Sequence, residues 1–383
     1  MKSLAQFAAA VLGAAVLYVA PVQAAPFLGN DLVVVQAGDG SASLSGNATA
    51  VFLKEFTTSG ALVSTLNMPT AASGSNNPLT LSGSATSEGF LQVSADGNYL
   101  TMAGYGVAPG SVTPQTATPA SAPRVVGVVD MNGNINTSTN LGTAYSGSNI
   151  RSAASSDGTN IWTGGNAGSG LGATGAVRYA TLGGSSSTQI NSSTTNIRVV
   201  DVFNGQLYAS ASSGAVLGVA TVGTGEPTGS ASISLLPGMP TTGTHSSYDF
   251  WFKDANTLYV ADDGSAANGG GIQKWIFGGS TWSLSYTLAC GTGLSGSSVG
   301  ARGLTGEVDE LGNVELFATS SDASPNRLVK ITDLGAGSAF TTLATSPVGV
   351  GSTAFRGVAL VPEPGSLALL AIGGLTLLRR RRA

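Results

Sequence analysis

The feature that most constrains this chain is a motif that recurs about every 50 residues. Each copy has a turn with Asp, Asn or Gly, followed by a short strand that ends in an aromatic and small residues. The copies are SADGNYLTMAGY (94–105), SSDGTNIWTGGN (155–166), VFNGQLYASASSG (202–214), KDANTLYVADDG (253–264) and ELGNVELFATSSD (310–322). The aliphatic residue after each turn recurs at intervals of 61, 46, 51 and 58 residues. This drifting period predicts a radial or stacked repeat rather than a uniform solenoid.

A second series, of opening strands, runs in phase with the first. Its members are GFLQV (89–93), NIR (149–151), NIR (196–198), SYDFWF (247–252), ARG (301–303) and FRG (355–357). Two more alternating segments follow each aromatic strand, so the unit has four antiparallel strands, as in a propeller blade. The sequence therefore predicts an all-β propeller with six blades. The Ser/Thr/Pro-rich stretch 107–123 is interpreted as an insertion loop, but it leaves room for a seventh blade.

The two ends of the repeat region are incomplete in matching ways. It starts with DLVVVQAG, AVFLKEFTTSG and ALVSTLNMP, three strands without an opening strand, and it ends with AFRGVALVP, an opening strand without followers. Together they make one blade, which closes the ring and removes the exposed sheet edges. The matched ends argue against the alternative fold, a pair of β-sandwiches. Helices are expected only in the terminal segments 1–24 and 362–383.

One unit also resembles a known repeat. NTLYVADDGSAANGGGIQKWIF (256–277) is similar to the repeat of NHL-type propellers, in which a Leu-Tyr-Val-Ala-Asp strand precedes an isoleucine strand. The resemblance covers about 22 residues, and the other units keep only the outline. It implies the same propeller fold for residues 25–361.

The composition supports a folded domain and argues against one class of partner. Charged residues make up 9% of the chain and hydrophobic residues 42%, whereas disordered chains combine few apolar residues with high net charge. Without Lys2 and the arginines 379–382, the body up to Glu363 has 11 Lys+Arg and 20 Asp+Glu, a net charge of −9. Such an acidic body lacks the basic patch of a nucleic-acid-binding protein.

The residues for common kinds of catalysis are scarce. The only histidine, His245, lies in a loop, and the only cysteine, Cys290, lies in an apolar run and is expected to be buried. A Ser-His-Asp triad would rest on His245 alone, which is interpreted as an ordinary loop histidine, and one His and one Cys cannot make a usual zinc site. GTGLSG (291–296) lacks the helix and acidic residue of a dinucleotide site, and Asp262-Asp263 lacks calcium-loop spacing and is expected to cap a turn. We expect no catalytic residue, cofactor or metal.

Four arginines occupy in-phase positions of the opening strands: Arg151, Arg198, Arg302 and Arg356. If these strands line a central channel, the four guanidiniums lie at one level and can bind a carboxylate or phosphate ligand. In the structural alternative, each arginine pairs with a neighbouring carboxylate or carbonyl and fixes the blade spacing.

Three carboxylates also lie on or next to opening strands: Asp201, Asp249 and Glu307. Two such groups meeting in the channel could act as the acid and base of glycoside cleavage. They are equally explained as ion partners of the arginines.

The N-terminus has the pattern of a secretory signal peptide over residues 1–24. Lys2 precedes the apolar run 7–20, and the small residues of VQA (22–24) predict cleavage by signal peptidase after Ala24.

The C-terminus combines a tripeptide, an apolar run and a basic cluster: Pro362, Glu363, Pro364, residues 365–378, then Arg379, Arg380, Arg381 and Arg382. As a helix, fourteen residues span roughly 21 Å, less than the ~30 Å of bilayer hydrocarbon. A short span followed by arginines, which stay cytoplasmic, predicts transient membrane insertion with the body outside.

This segment resembles the PEP-CTERM sorting signal. The resemblance implies an exported protein that an exosortase cuts near the tripeptide. It also implies a bacterium with an outer membrane and a destination at the cell surface or in a polysaccharide-rich biofilm matrix. Two functions follow: a non-enzymatic propeller that binds glycan or protein, which we favour, and an exported polysaccharide hydrolase or lyase that uses channel carboxylates.

Overall fold

The computed structural model describes residues 26–167, 174–194, 196–292 and 299–363. In these residues the chain forms six four-stranded antiparallel sheets, arranged as the blades of a propeller. The predicted all-β propeller with six blades is confirmed. The seven-blade and sandwich alternatives are excluded.

Every blade has an inner strand at the channel and three strands outside it. The inner strands are β6 (Leu91–Val93), β10 (Ile150–Ser155), β14 (Ile197–Phe203), β18 (Ser247–Asp254), β22 (Ala301–Val308) and β26 (Ala354–Leu360). The second strands are β7 (Tyr99–Tyr105), β11 (Asn160–Gly165), β15 (Gln206–Ala211), β19 (Thr257–Asp262), β23 (Val314–Ser320) and β1 (Leu32–Ala37). All six predicted opening strands are therefore inner strands.

The outer half of each blade is formed by the strands that follow. The third strands are β8 (Arg124–Asp130), β12 (Val177–Thr181), β16 (Val219–Val222), β20 (Gly271–Phe277), β24 (Arg327–Thr332) and β3 (Val51–Phe56). The outermost strands are β9 (Ile135–Asn140), β13 (Thr188–Asn191), β17 (Ile233–Leu235), β21 (Trp282–Leu288), β25 (Phe340–Thr345) and β4 (Leu62–Asn67). Blade 1 consists of β26, β1, β3 and β4, and blades 2 to 6 follow in chain order.

Blade 1 closes the ring as the sequence predicts. β26 pairs with β1 in antiparallel register, from Leu32 opposite Leu360 to Ala37 opposite Ala354. The ladder continues past the strand, because the amide of Val361 donates to the carbonyl of Asp31 at 2.8 Å.

The recurring turn has a simple physical cause. Asp157 Oδ1 accepts hydrogen bonds from the amides of Thr159 (2.8 Å) and Asn160 (2.7 Å), and its other oxygen accepts one from Asn160 Nδ2 (2.8 Å). Asp96 and Asp309 form the same kind of turn with a following asparagine. Because the side chain replaces backbone partners, these turns hold the inner and second strands together.

The remaining elements are short. β2 (Ala48–Thr49) pairs with β5 (Leu81–Ser82), and two single 3₁₀ turns cover Pro114–Thr116 and Ala266–Asn268. The first turn lies in the stretch 107–123, which is an insertion between β7 and β8, as predicted. Within the described ranges, no helix is long and apolar enough to cross a membrane. The helices expected in segments 1–24 and 365–378 lie outside those ranges.

Two truncated chains test the closure, both starting at residue 25. A chain ending at residue 363 should melt close to the full-length protein, because the ring is complete. A chain ending at residue 353 loses β26 and the burial of Phe355, Val358 and Ala359. Since a fully buried large apolar side chain contributes about 1.5–3 kcal/mol, this chain should be severely destabilised. Equal melting temperatures in thermal unfolding would contradict the assigned closure.

Candidate functional site

A β-bulge interrupts five of the six inner strands near their first residues. The pairing with the second strand skips between Ile150 and Ser152, Ile197 and Val200, Ser247 and Phe250, Ala301 and Leu304, and Phe355 and Val358. The bulges contain Arg151, Arg198, Tyr248, Arg302 and Arg356. A bulge twists the strand and redirects its side chains. The four in-phase arginines therefore lie in equivalent β-bulges. In blade 5 the equivalent bulge contains Tyr248 instead of an arginine.

Hydroxyl groups on the second strands stabilise these bulges. Thr319, the residue opposite the bulge of β22, accepts from the amide of Gly303 at 2.8 Å. The same hydroxyl donates to the carbonyl of Arg356 in the next blade at 2.6 Å. Ser210 bonds in the same way to the amide of Val199 and the carbonyl of Tyr248. Each hydroxyl thus links a bulge in its own blade to a bulge in the next.

The arginines converge on Tyr248 at one end of the channel. The guanidinium carbons of Arg198 and Arg302 lie 4.4 Å and 5.9 Å from the centre of the Tyr248 ring. From blade 2, on the opposite side of the ring of blades, the ring of Phe90 packs 5.8 Å from Tyr248. Arg198 and Arg302 are half-buried, and Arg151 and Arg356 are buried. We call these four arginines and Tyr248 the arginine mouth.

Several guanidinium groups have protein partners. Arg302 Nε pairs with Asp263 at 3.2 Å, and Arg198 Nε donates to Ser212 Oγ at 3.0 Å. Arg151 Nη1 donates to Asn196 Oδ1 (2.6 Å) and to a backbone carbonyl (2.9 Å). These contacts agree with the structural alternative, in which each arginine holds its neighbourhood together.

Three buried donors in the arginine mouth have no protein acceptor. They are Nε of Arg151 and both Nε and Nη1 of Arg356, as far as the chain is described. Arg356 donates only through Nη2, to the carbonyl of Gly83 at 2.9 Å. The two side chains are only 5% and 3% exposed. A buried donor without an acceptor costs free energy, so these groups are suited to an external acceptor.

Charge repulsion adds to the cost of burial. Burial, together with the charge of Arg198, lowers the pKa of Arg151 to about 10. Burial lowers the pKa of Arg356 to about 10 as well, and Arg302 acts on it in the same direction. Nearby Glu88 supplies one acidic group, which accepts from Tyr105 Oη (2.6 Å) and the amide of Ser82 (3.0 Å). Four cations facing Asp263 and Glu88 leave an excess of positive charge.

Below the arginine mouth, a hydrogen bond crosses the channel. Gln92 Nε2, in blade 2, donates to Asp249 Oδ1, in blade 5, at 3.0 Å. Asp249 also accepts from the amides of Phe250 (2.9 Å) and Leu304 (3.1 Å). We call this contact the strut. The strut and the Phe90–Tyr248 contact both join blade 2 to blade 5 across the channel.

The three predicted carboxylates have different surroundings. Asp249 belongs to the strut, and both its oxygens accept hydrogen bonds. Asp201 lines a cavity of about 280 Å³ on the far side of the strut, and burial raises its pKa to about 7. Glu307 lies opposite Glu315 in the register of β22 and β23, and burial and that charge raise its pKa. In the described residues none of the three forms an ion pair with the four arginines, so that interpretation was wrong.

The other candidate site residues from the sequence have structural roles. Cys290 is fully buried, as predicted. Asp262 accepts from the amides of Ser246 and Gly264, as a turn cap does, and Asp263 pairs with Arg302. In the described ranges no three His, Cys, Asp or Glu side chains are grouped as metal ligands. Most of GTGLSG (291–296) lies outside those ranges.

The start of the sorting tripeptide lies against the propeller. Glu363 Oε1 accepts from Asn30 Nδ2 at 2.7 Å. Pro362 lies at the rim of the cavity that Asp201 lines. The other predicted processing residues, Ala24, Pro364 and Arg379–Arg382, lie outside the described residues.

Residues 360–382 match the PEP-CTERM protein-sorting motif. The chain carries an exosortase sorting signal. It is therefore an exported, exosortase-processed protein with a propeller fold and a cell-surface or extracellular destination. No curated protein matches the chain.

Solved structures with similar folds were also found. Periplasmic gluconolactonase PpgL of Pseudomonas aeruginosa is 11% identical, with 86% of this chain and 100% of that chain covered and a TM-score of 0.43. The computationally designed Ika8 protein is 12% identical, with 86% and 92% covered and a TM-score of 0.37. AztD of Citrobacter koseri is 11% identical, with 82% and 69% covered and a TM-score of 0.33. These likenesses do not bear on what this chain binds.

Replacing Thr319 tests the link between the bulges. Thr319→Val keeps the shape of the side chain but removes both hydrogen bonds, leaving the buried amide of Gly303 and carbonyl of Arg356 unpaired. We expect a loss of about 1–3 kcal/mol in unfolding free energy, measured by denaturant titration. Thr319→Ser keeps the hydroxyl and should retain most of the stability. Equal stability of Thr319→Val and wild type would show that the hydroxyl does not support the bulges.

Proposed function

We propose that this protein is a non-enzymatic binding propeller, displayed at the cell surface or in the extracellular matrix, which binds an acidic ligand through the arginine mouth. The observation that carries this proposal is the set of unpaired, buried N–H groups of Arg356 and Arg151 beneath the half-buried Arg198 and Arg302. They form a graded path on which an anion meets the outer pair first and the inner donors last.

A carboxylate suits this arrangement because it is negatively charged and accepts hydrogen bonds from N–H groups. Guanidinium groups bind carboxylates through paired, charge-assisted hydrogen bonds. Hydrogen bonds to charged groups contribute about 1.5–3 kcal/mol each, and here the donors lack protein acceptors. Ligand binding would thus remove an unfavourable feature of the free protein as well as add a contact.

The negative net charge of the rest of the domain restricts which anions can bind. With a net charge of −9, the body repels polyanions that approach without a specific fit. Recognition then depends on a few acidic groups that reach the arginine mouth. We assign this role to carboxylates of an extracellular acidic polysaccharide, a partner class that also suits the destination of the protein.

An exported polysaccharide hydrolase or lyase is the alternative. Glycoside cleavage normally requires two accessible carboxyl groups across the scissile bond. Asp249 is fully buried and engaged in the strut, and Glu307 lies opposite Glu315 in the pairing of β22 with β23, so Asp201 has no accessible partner carboxylate placed across from it in the described residues. This arrangement favours binding over cleavage. Sugar released from a polysaccharide by the purified protein would refute the non-enzymatic function.

Processing completes the proposal. Signal peptidase removes residues 1–24 after Ala24, and residues 365–378 then hold the protein briefly in the inner membrane. The cluster Arg379–Arg382 stays in the cytoplasm and orients the propeller outward. Cleavage near Pro362 releases the propeller to the surface or to a biofilm matrix rich in exopolysaccharide.

Arginine substitutions test the ligand site. The double variant Arg151→Gln/Arg356→Gln should weaken binding of trigalacturonate at least about tenfold in calorimetry, a loss of about 1.4 kcal/mol or more. Its melting temperature should fall little, because the lost hydrogen bonds to Asn196 and Gly83 are offset by the removal of two buried charges that lack an acidic partner within the described ranges. Lys253→Gln, at the opposite end of β18, removes a positive charge outside the arginine mouth and should bind like wild type. A large loss of stability, with no trigalacturonate or inorganic phosphate bound by wild type, would support the purely structural role.

Mass spectrometry of protein from the native cell surface tests the processing. We expect no peptide from residues 365–383, because the membrane segment is removed. A Pro362→Ala/Pro364→Ala variant should retain these peptides and accumulate in the membrane fraction. Recovery of the intact wild-type tail from the cell surface would contradict exosortase cleavage.

A further inference from the structure

The channel has a second binding region on the far side of the strut. It is a cavity of about 280 Å³, which we call the lower chamber. Its walls include apolar side chains of Leu91, Leu304 and Val358, the rings of Phe250 and Trp251, and one carboxylate, Asp201. Since drug-sized pockets cover about 300–1,000 Å³, the lower chamber suits a small ligand.

Asp201 is poorly compensated by the protein. In the part of the chain that the structure describes, its carboxylate accepts one hydrogen bond, from the amide of Val202 at 2.8 Å. It takes part in no ion pair within the described residues. Burial raises its pKa to about 7, which shows how weakly the protein itself stabilises the negative charge. The ligand class that best stabilises such a carboxylate is a cation.

Trp251 supplies the other half of the recognition. The side chain is half-buried and lines the lower chamber. It lies against β22 at Gly306, where a Cβ atom would come within 2.8 Å of the indole. The missing side chain at Gly306 therefore permits the position of the ring. Tryptophan is the best aromatic partner for organic cations, with about 0.5–2 kcal/mol for each contact.

We propose that the lower chamber binds a small organic ammonium ion, with Asp201 as its counter-charge and Trp251 as its cation–π partner. The apolar walls fit the alkyl groups of such an ion. They disfavour a sugar, because Gln92, Thr305 and Asp201 are the only polar side chains among the lining residues and cannot replace all the hydrogen bonds of its hydroxyls to water. The carboxylate disfavours anions, so the ligand differs from that of the arginine mouth. This inference does not depend on the proposed function.

Choline and its neutral carbon isostere, 3,3-dimethylbutan-1-ol, are matched probes for this site. In calorimetric titrations of the purified full chain, choline should bind at least about tenfold more tightly than the isostere, because only choline is charged. Asp201→Asn should abolish this preference. Trp251→Leu should weaken choline binding about five- to tenfold. Glu310→Gln removes an exposed carboxylate on the turn after β22 and should leave binding unchanged.

Further measurements keep the proposal falsifiable if one variant folds poorly. Gly306→Ala changes no charge but displaces the indole, and it should weaken choline binding while circular dichroism shows an intact propeller. Equal binding of choline and the isostere, or full choline affinity in Asp201→Asn, would overturn the proposal. So would the absence of choline binding to wild type up to about 50 mM. Glucose that binds more tightly than choline would identify a sugar site instead.

Discussion

The pairing of β26 with β1 is the contact on which the rest of the structure depends. It joins the last strand of the repeat to the first across more than 300 residues of chain and gives blade 1 its inner strand. Only in a closed ring do the six inner strands face one axis. The same pairing positions the sorting segment, since the tripeptide begins just beyond Val361, whose amide extends the ladder. Cleavage can therefore remove the sorting segment without removing a strand of the propeller.

Within the closed ring, a repeated β-bulge determines which side chains point into one end of the channel. Four bulges present arginine, the fifth presents Tyr248, and Phe90 stands at the start of blade 2. Arginine at every position would concentrate more positive charge with no compensation. The two aromatic residues lie in opposite blades and meet across the axis, and Tyr248 also offers its ring to Arg198 and Arg302. The departure from exact repetition is what makes a compact cationic site stable.

The sequence predicted those features that repeat. The Asp-containing turns, the period and the matched ends each recur, so the blade count, the closure and the in-phase arginines could be inferred. The site features that it missed do not repeat. The Gln92–Asp249 contact joins residues 157 apart with no periodic relation, so nothing in the pattern marks Asp249 as a strut. Tyr248 could have been found, because SYDFWF was already aligned with the arginine-containing strands and places Tyr248 at the arginine position.

The distribution of charge gives the two ends of the channel opposite characters. The body has 11 basic residues, and four of them lie in the arginine mouth. The strut separates them from Asp201, whose surroundings lack a cation in the described residues. Elsewhere the surface relies on hydroxyl and amide groups, which interact weakly with charged solutes. A chain with only 9% charged residues thus concentrates cations at one end of its axis and leaves an uncompensated carboxylate at the other. The opposite charges of the two ends favour ligands of opposite charge.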